Sequence, residues 1–206
     1  MTSLDEGKGL DEGKGLRAVH VQDTRRALLA KARELFAANG FQATRTEEIV
    51  QGAGLTRGAL YHHFASKTEL AAAVVEQLDG ELVDLVVAAA LRGSGVRDQL
   101  HRGCRAYMDA CAEPTMARIL ADAPAVLGIE ACRALDAAAC APLLAEVFAR
   151  AEEAQIAVPG DPEVAAALLL GFLNEAAGLI AAAPGDRGLR RRVGDTVDEF
   201  VARLFV

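Results

Sequence analysis

Apolar positions along the chain recur with a period near 3.6 residues, and no segment alternates with the period of 2 that a half-buried strand requires. Leu28, Ala32, Leu35 and Phe36 share one face and predict a helix from about Gln22 to Asn39, stopped by Asn39-Gly40. Thr46 reads as the N-cap of a short second helix with Ile49, Val50 and Ala53 inward and Glu47 and Glu48 at its positive end. Gly54 ends that helix, Thr56 caps a third from Arg57 to Phe64, and Ser66 caps a long fourth running to about Ala90. Val96 to Ala112 is amphipathic, and Glu113-Pro114 restarts the chain, proline being suited to a first helical turn. Helices follow over Ile129–Gln155, with Pro142 a break or kink, from Pro162 to about Ala183 behind an Asp161 cap, and from Gly188 to Phe205. Nine helices and no strand make the expected fold all-α.

Val164 to Ala183 is long enough for a membrane span, with only Asn174 and Glu175 polar. Its alanine and glycine drive insertion weakly, a carboxylate sits at its centre, and it lacks an aromatic belt. A helix apolar on all sides also suits a core or a subunit interface, and that is the expectation here. Composition agrees: 52% of residues are hydrophobic and only 4% aromatic, with no tryptophan, which favours close-packed helices over a sandwich. The first sixteen residues are acidic and glycine-rich, not apolar like a secretory leader, so a soluble cytoplasmic protein is expected, with Cys104, Cys111, Cys132 and Cys140 reduced. The tandem LDEGKG at 4–9 and 10–15 has no apolar period, and residues 1–20 read as a disordered tail.

The net charge of −7 argues against a polyanionic partner until it is divided along the chain. Residues 1–16 carry −2, residues 17–70 carry +3 and residues 71–206 carry −8. A basic module followed by an acidic one is the asymmetry that nucleic-acid binding predicts. Within the basic module, residues 47–64 have helix-turn-helix dimensions, with a Gly-Leu-Thr link and a core of Ile49, Val50, Ala53, Leu55, Leu60 and Phe64. Leu60 and Phe64 pin the second helix inward, which turns Gly58, Tyr61 and His62 outward behind Thr56 and Arg57. Arginine can pair with a guanine edge, tyrosine and histidine can reach phosphates or thymine methyls, and Gly58 leaves room for close approach. Lys67 and the helix starts at Thr46 and Thr56 add phosphate contacts.

The string AGLTRGALYHHFASKTEL at 53–70, with Gly40-Phe41, Thr44 and Glu47-Glu48-Ile49 before it, resembles the TetR family of bacterial transcriptional regulators over about residues 22–75. The resemblance implies a helix-turn-helix DNA-binding domain at 21–67 and a ligand-binding and dimerisation domain at 68–206, in a homodimer that releases a palindromic operator when a small molecule binds. By position, Arg45 and Thr46 would touch DNA at the start of the second helix. Thr56, Arg57, Gly58, Tyr61 and His62 would face the groove, and His63 and Lys67 would meet phosphates. Helices 162–183 and 188–204 would pair with their copies as a four-helix interface.

Among the alanine- and leucine-rich helices, Cys104, Tyr107, Met108, Cys111, Phe148, Phe172 and Glu175 are candidate pocket residues, and the low aromatic content favours an apolar effector. Glu175, in an apolar helix, is expected to need a partner. His101 and Cys104 supply half of a metal site that nothing completes, so no metal or other cofactor is expected, and Cys104 and Cys111 lie about 10 Å apart along a helix, too far for a disulfide. An enzyme is the alternative, but the Glu-x-x-His pairs of a helical di-metal site, a phosphate loop and a nucleophile elbow are all missing. A helical partner-binding module without DNA is the third reading.

Overall fold

The computed structural model describes residues 8–183 and 185–204, with side chains from Val21 onward. Among these residues it contains nine helices and no strand: α1 Lys8–Asn39, α2 Thr46–Gly52, α3 Arg57–His63, α4 Lys67–Ala90, α5 Val96–Cys111, α6 Pro114–Leu127, α7 Ile129–Glu153, α8 Pro162–Ala182 and α9 Arg187–Leu204. Most starts fall where polar caps predict them. The Ser66 hydroxyl accepts the Glu69 N–H at 3.0 Å, and the Asp161 carboxylate accepts the Glu163 and Val164 N–H groups, each at 3.0 Å. Glu113 caps α6 through its own carboxylate, 2.9 Å from the Thr115 nitrogen and 3.1 Å from that of Met116.

Three expectations are corrected. The first helix begins at Lys8 instead of near Gln22, so the second repeat copy and the residues up to 20 are helical, and the expected disorder of residues 1–7 lies outside the described residues. The physical reason is cooperativity: once the apolar face from Leu28 to Phe36 holds a helix, each residue added upstream gains one hydrogen bond without a new nucleus. The cap of α2 is Arg45, with Thr46 already helical and its hydroxyl turned to Glu47. The chain also passes through Pro142 without a break. Pro142 and Ala138, whose carbonyl loses its amide partner, both lie on the exposed side of α7, where water can take that bond. The turn residue Pro184 and the expected end at Phe205 lie outside the described residues.

The core runs as one cluster through the molecule, with α4 at its centre. Leu70, Val74, Val75, Leu78 and Leu82 form its buried stripe against α1, α5, α6 and α7. Arg33 of α1 ties to Glu81 of α4 at 2.6 Å. α8 passes the length and composition test for a membrane span, yet buries Ala165, Ala166, Leu169, Leu170, Leu173, Ala176 and Ile180 against its neighbours. Its other face leaves Val164, Leu168 and Leu179 exposed.

Gly54 makes the turn between α2 and α3 with φ +68°, a conformation that L side chains rarely adopt. No neighbour stands within 4 Å of a Cβ built there, so Gly54→Ala isolates the backbone cost. It is expected to destabilise the fold by about 1 kcal/mol, read as a drop in the urea midpoint at unchanged slope; an unchanged midpoint contradicts the turn described.

Candidate nucleic-acid interface and cavity

α3 is held by its inward side. Leu60 is fully buried and Phe64 nearly so, packed with Ile49 and Val50 of α2 on α1. The Thr56 hydroxyl accepts the Ala59 N–H at 3.2 Å and starts the helix. This anchoring leaves Thr56, Arg57, Gly58, Tyr61 and His62 exposed on the opposite side. Arg57 lies 5.5 Å from the centroid of the Tyr61 ring and pairs with Glu47 of α2 at 3.3 Å. Both members of that pair are exposed, so the attraction is weak and a phosphate or base edge can replace the carboxylate. The Glu47 carboxyl sits below its ordinary range, chiefly because a backbone hydrogen bond favours its charged form, then because Arg57 and Arg45 are near.

Gly58 has no structural need to be glycine: a Cβ there would meet only the Thr56 hydroxyl, at an ordinary 3.8 Å. Arg45 is exposed and donates its backbone N–H to Glu48 at 2.8 Å, while Thr46 is half-buried. His63 is half-buried, edge-on to His62, and burial followed by the charges of His62 and Arg25 pulls its pKa down. Lys67, at the start of α4, lays its ammonium 4.2 Å from the centroid of the Phe41 ring, and burial lowers its pKa. The nine residues singled out from the sequence thus sit on α3 and the helix starts flanking it, six of them exposed.

Above this module, α4, α5, α6, α7 and α8 surround a cavity of about 420 Å³. Its polar wall comes from Tyr107 and Cys111 of α5, Asp79 of α4, Cys132 and Asp136 of α7 and Asn174 of α8. Tyr107 donates its hydroxyl to the Asn174 carbonyl, whose amide donates to Asp136 at 2.8 Å. A second cavity of about 150 Å³, towards the other end of α4, shares Tyr107 and is otherwise lined largely by valine and leucine with Cys104 and Cys140.

The pocket residues expected from sequence divide accordingly. Tyr107, Cys104 and Cys111 line these cavities, and Phe148 is fully buried in the core beside them. Met108 faces α9 instead, in a groove with Arg105 and Arg190. Phe172 and Glu175 lie on the outer face of α8, where Phe172 stacks on Phe200 of α9 at 4.3 Å between centroids. Glu175 is exposed in the single chain, so its carboxylate does not carry the cost of an unpaired buried charge there. Asp79 and Asp136 were not expected. The available signal was Asp79 standing four residues after Val75 and three before Leu82, on an otherwise apolar stripe.

Burial pushes the Cys104, Cys111 and Cys140 thiols up to about 12, so they stay protonated and are poor nucleophiles. His101 is engaged by Asp198 of α9 at 3.0 Å, and Arg105 joins the same carboxylate at 2.9 Å. Among the described residues no group of three or more His, Cys, Asp or Glu side chains is placed to hold a metal.

A helix-turn-helix whose third helix is anchored from one side and exposed on the other, followed by further helices that enclose a cavity, is the architecture of a DNA-binding regulator. Residues 28–74 match the family model for bacterial regulatory proteins of the tetR family, and residues 97–204 match that for the tetracyclin repressor-like C-terminal domain. A solved TetR-family transcriptional regulator from Pectobacterium atrosepticum is 32% identical, with a TM-score of 0.79 over 91% of this chain and 97% of that one. The HTH-type transcriptional repressor KstR2 of Mycobacterium tuberculosis is 47% identical over 53 residues, 26% of each chain. The HTH-type transcriptional activator FasR of Mycolicibacterium smegmatis is 36% identical over 89 residues, 43% of this chain and 41% of its own. These curated matches therefore span less than half of their relatives' length. The chain belongs to the TetR family: it is a DNA-binding transcriptional regulator and not an enzyme.

Proposed function

We propose that the protein is a homodimeric repressor that holds a palindromic operator through two copies of α3 and lets go when a small, largely apolar molecule fills the cavity. It acts in the cytoplasm, where bacterial DNA lies. The observation that carries the DNA reading is the exposed row Arg57, Gly58, Tyr61 and His62 on a helix anchored from its other side by the buried Leu60 and by Phe64 just beyond its end. In this reading Arg57 reads a base edge and Tyr61 and His62 contact the groove wall. Gly58 admits the backbone, and Arg45, Thr46, Thr56, His63 and Lys67 position phosphates.

Two helices support the rest. α8 and α9 leave Val164, Leu168, Leu179 and Phe200 exposed around Phe172, an apolar face that a second copy would cover, with the two α3 helices then reaching successive major grooves about 34 Å apart. α6 supports the coupling. Its Ala117, Leu120, Ala121 and Pro124 line the cavity, while its Asp122 accepts the Phe41 N–H at 3.2 Å, beside the turn that carries α2. A ligand that displaces α6 shifts the α1–α2 corner, and so the spacing of the α3 pair.

Gly58→Ala separates groove contact from structural need. Since nothing in the protein opposes a methyl group there, thermal stability is expected to hold or rise slightly, while affinity for a selected operator, measured by fluorescence anisotropy, falls about tenfold, equivalent to about 1.4 kcal/mol. Unchanged affinity removes α3 from the groove. Lys67→Ala is expected to weaken binding to all duplexes alike and to flatten the salt dependence by about one unit per recognition helix. Repression is the sense proposed, as for KstR2: a reporter carrying the operator falls when the protein is expressed, and a reporter that rises assigns activation.

A further inference from the structure

The wall of the 420 Å³ cavity is mostly alanine, leucine and valine, but its polar groups are out of balance. Asp79 is 4% exposed, and its Oδ2 accepts no hydrogen bond. Asp136, facing the same space from α7, receives one donor, the Asn174 amide, and that amide is oriented by the Tyr107 hydroxyl. Two carboxyl groups thus share a largely apolar chamber. Around Asp79 the ionisable groups are Asp136, Cys132 and Cys140 of α7, Tyr107 and Cys111 of α5, and the exposed Glu76 on its own helix; α6 and α8 bring none to the cavity wall. None of the residues lining the cavity is Lys, Arg or His. The chamber is rich in acceptors, short of donors and negative, so a bound molecule that supplies both donors and positive charge relieves all three conditions.

Building on the reading of this cavity as the effector site, we propose that the effector is an organic cation whose ammonium or amidinium nitrogen sits at Asp79 and Asp136, with its apolar body against α6 and α8. A carboxylate ligand meets the same two groups as repulsion. A divalent metal finds only two carboxylates and no third His, Cys, Asp or Glu ligand placed with them among the described residues. Burial, then the charge of Asp136, then that of Glu76 push the Asp79 carboxyl up to about 7, so the site gains its full negative charge only above neutral pH. An alkylammonium stays protonated throughout that range.

The test uses the full-length protein and three probes of matched shape: phenylbutylamine, phenylbutanol and phenylbutanoate, titrated by calorimetry at pH 8 and pH 6. The amine is expected to bind at least about tenfold more tightly than the alcohol at pH 8, to lose about tenfold at pH 6 as Asp79 takes up its proton, and to leave the carboxylate without measurable binding. Asp79→Asn, close to isosteric, is expected to bring the amine down to the level of the alcohol while the alcohol is unchanged, and Asp136→Asn to act in the same direction. If the alcohol or the carboxylate binds as well as the amine, the cation proposal fails and the cavity stands as an effector site. If none of the three binds, the cavity reading itself fails and takes the proposal with it. Amine binding that survives Asp79→Asn unchanged is surface attraction to a chain of net charge −7 and also overturns the proposal.

Discussion

Asp79→Asn raises the thermal midpoint of the unliganded protein at pH 8 by roughly 10 °C, an unusual gain for one substitution that fills no cavity. The cause is linkage between protonation and folding. An aspartate whose folded pKa is about 7, against the ordinary 3.8, is stable as the acid in the fold but as the carboxylate in the unfolded chain. Below pH 4 the two states bind the same proton and the group costs nothing. As pH rises from 4 to 7 the unfolded state is increasingly favoured, and above 7 the loss levels off at about 4 kcal/mol. An asparagine never ionises and escapes this cost, and it also removes the repulsion that Asp136 feels. The gap between variant and parent therefore closes towards pH 4, which calorimetric scans across pH 4–8 can follow. A gap of the same size at every pH would trace the effect to packing and contradict the buried, unpartnered carboxylate.

Leu168→Glu is expected to turn the proposed dimer into monomer and to lower operator affinity by a hundredfold or more. Leu168 is 71% exposed in the single chain, so the change removes little intrachain packing, and the monomer should keep its helical content. In the dimer the same position would place two carboxylates near the symmetry axis against Phe172 and Phe200, a buried like-charge arrangement that association cannot tolerate. One α3 helix alone then meets one half-site, losing the gain that linked binding provides. Sedimentation velocity and anisotropy read the two effects together. A dimer that survives the substitution moves the subunit interface away from α8 and α9.

The helices were legible because their ends carry local chemistry. Asp161-Pro162, Glu113-Pro114, Ser66 and Thr56 each satisfy orphan N–H groups with a neighbouring side chain, and such bonds need no tertiary context. The extension of α1 back to Lys8 was not legible, since four glycines in the repeats argue against helix while cooperativity from downstream favours it. The outward row on α3 was legible as well, because Leu60 and Phe64, four apart, define the inward direction.

The cavity was only half readable. Tyr107, Cys104 and Cys111 stood out as larger or polar groups on an amphipathic helix, and they do line cavities. Asn174 and Glu175 are adjacent and point about 100° apart, so only one can face inward, and spacing alone does not say which. Phe172 points outward for the same reason, towards the face where a second copy would sit. Asp79 and Asp136 come from helices distant in sequence, and only their tertiary packing brings two carboxyls to one chamber.

The measurement that bears most directly on the whole account is a selection from random duplex DNA, run on the purified protein and on the Tyr61→Ala/Lys67→Ala double variant. Recognition through a pair of α3 helices predicts enrichment of one palindromic site with half-sites a helical turn apart, retained at moderate salt and lost in the double variant. Enrichment of no sequence, from protein refolded to strip bound ligand, or equal enrichment by the double variant, would contradict recognition through α3.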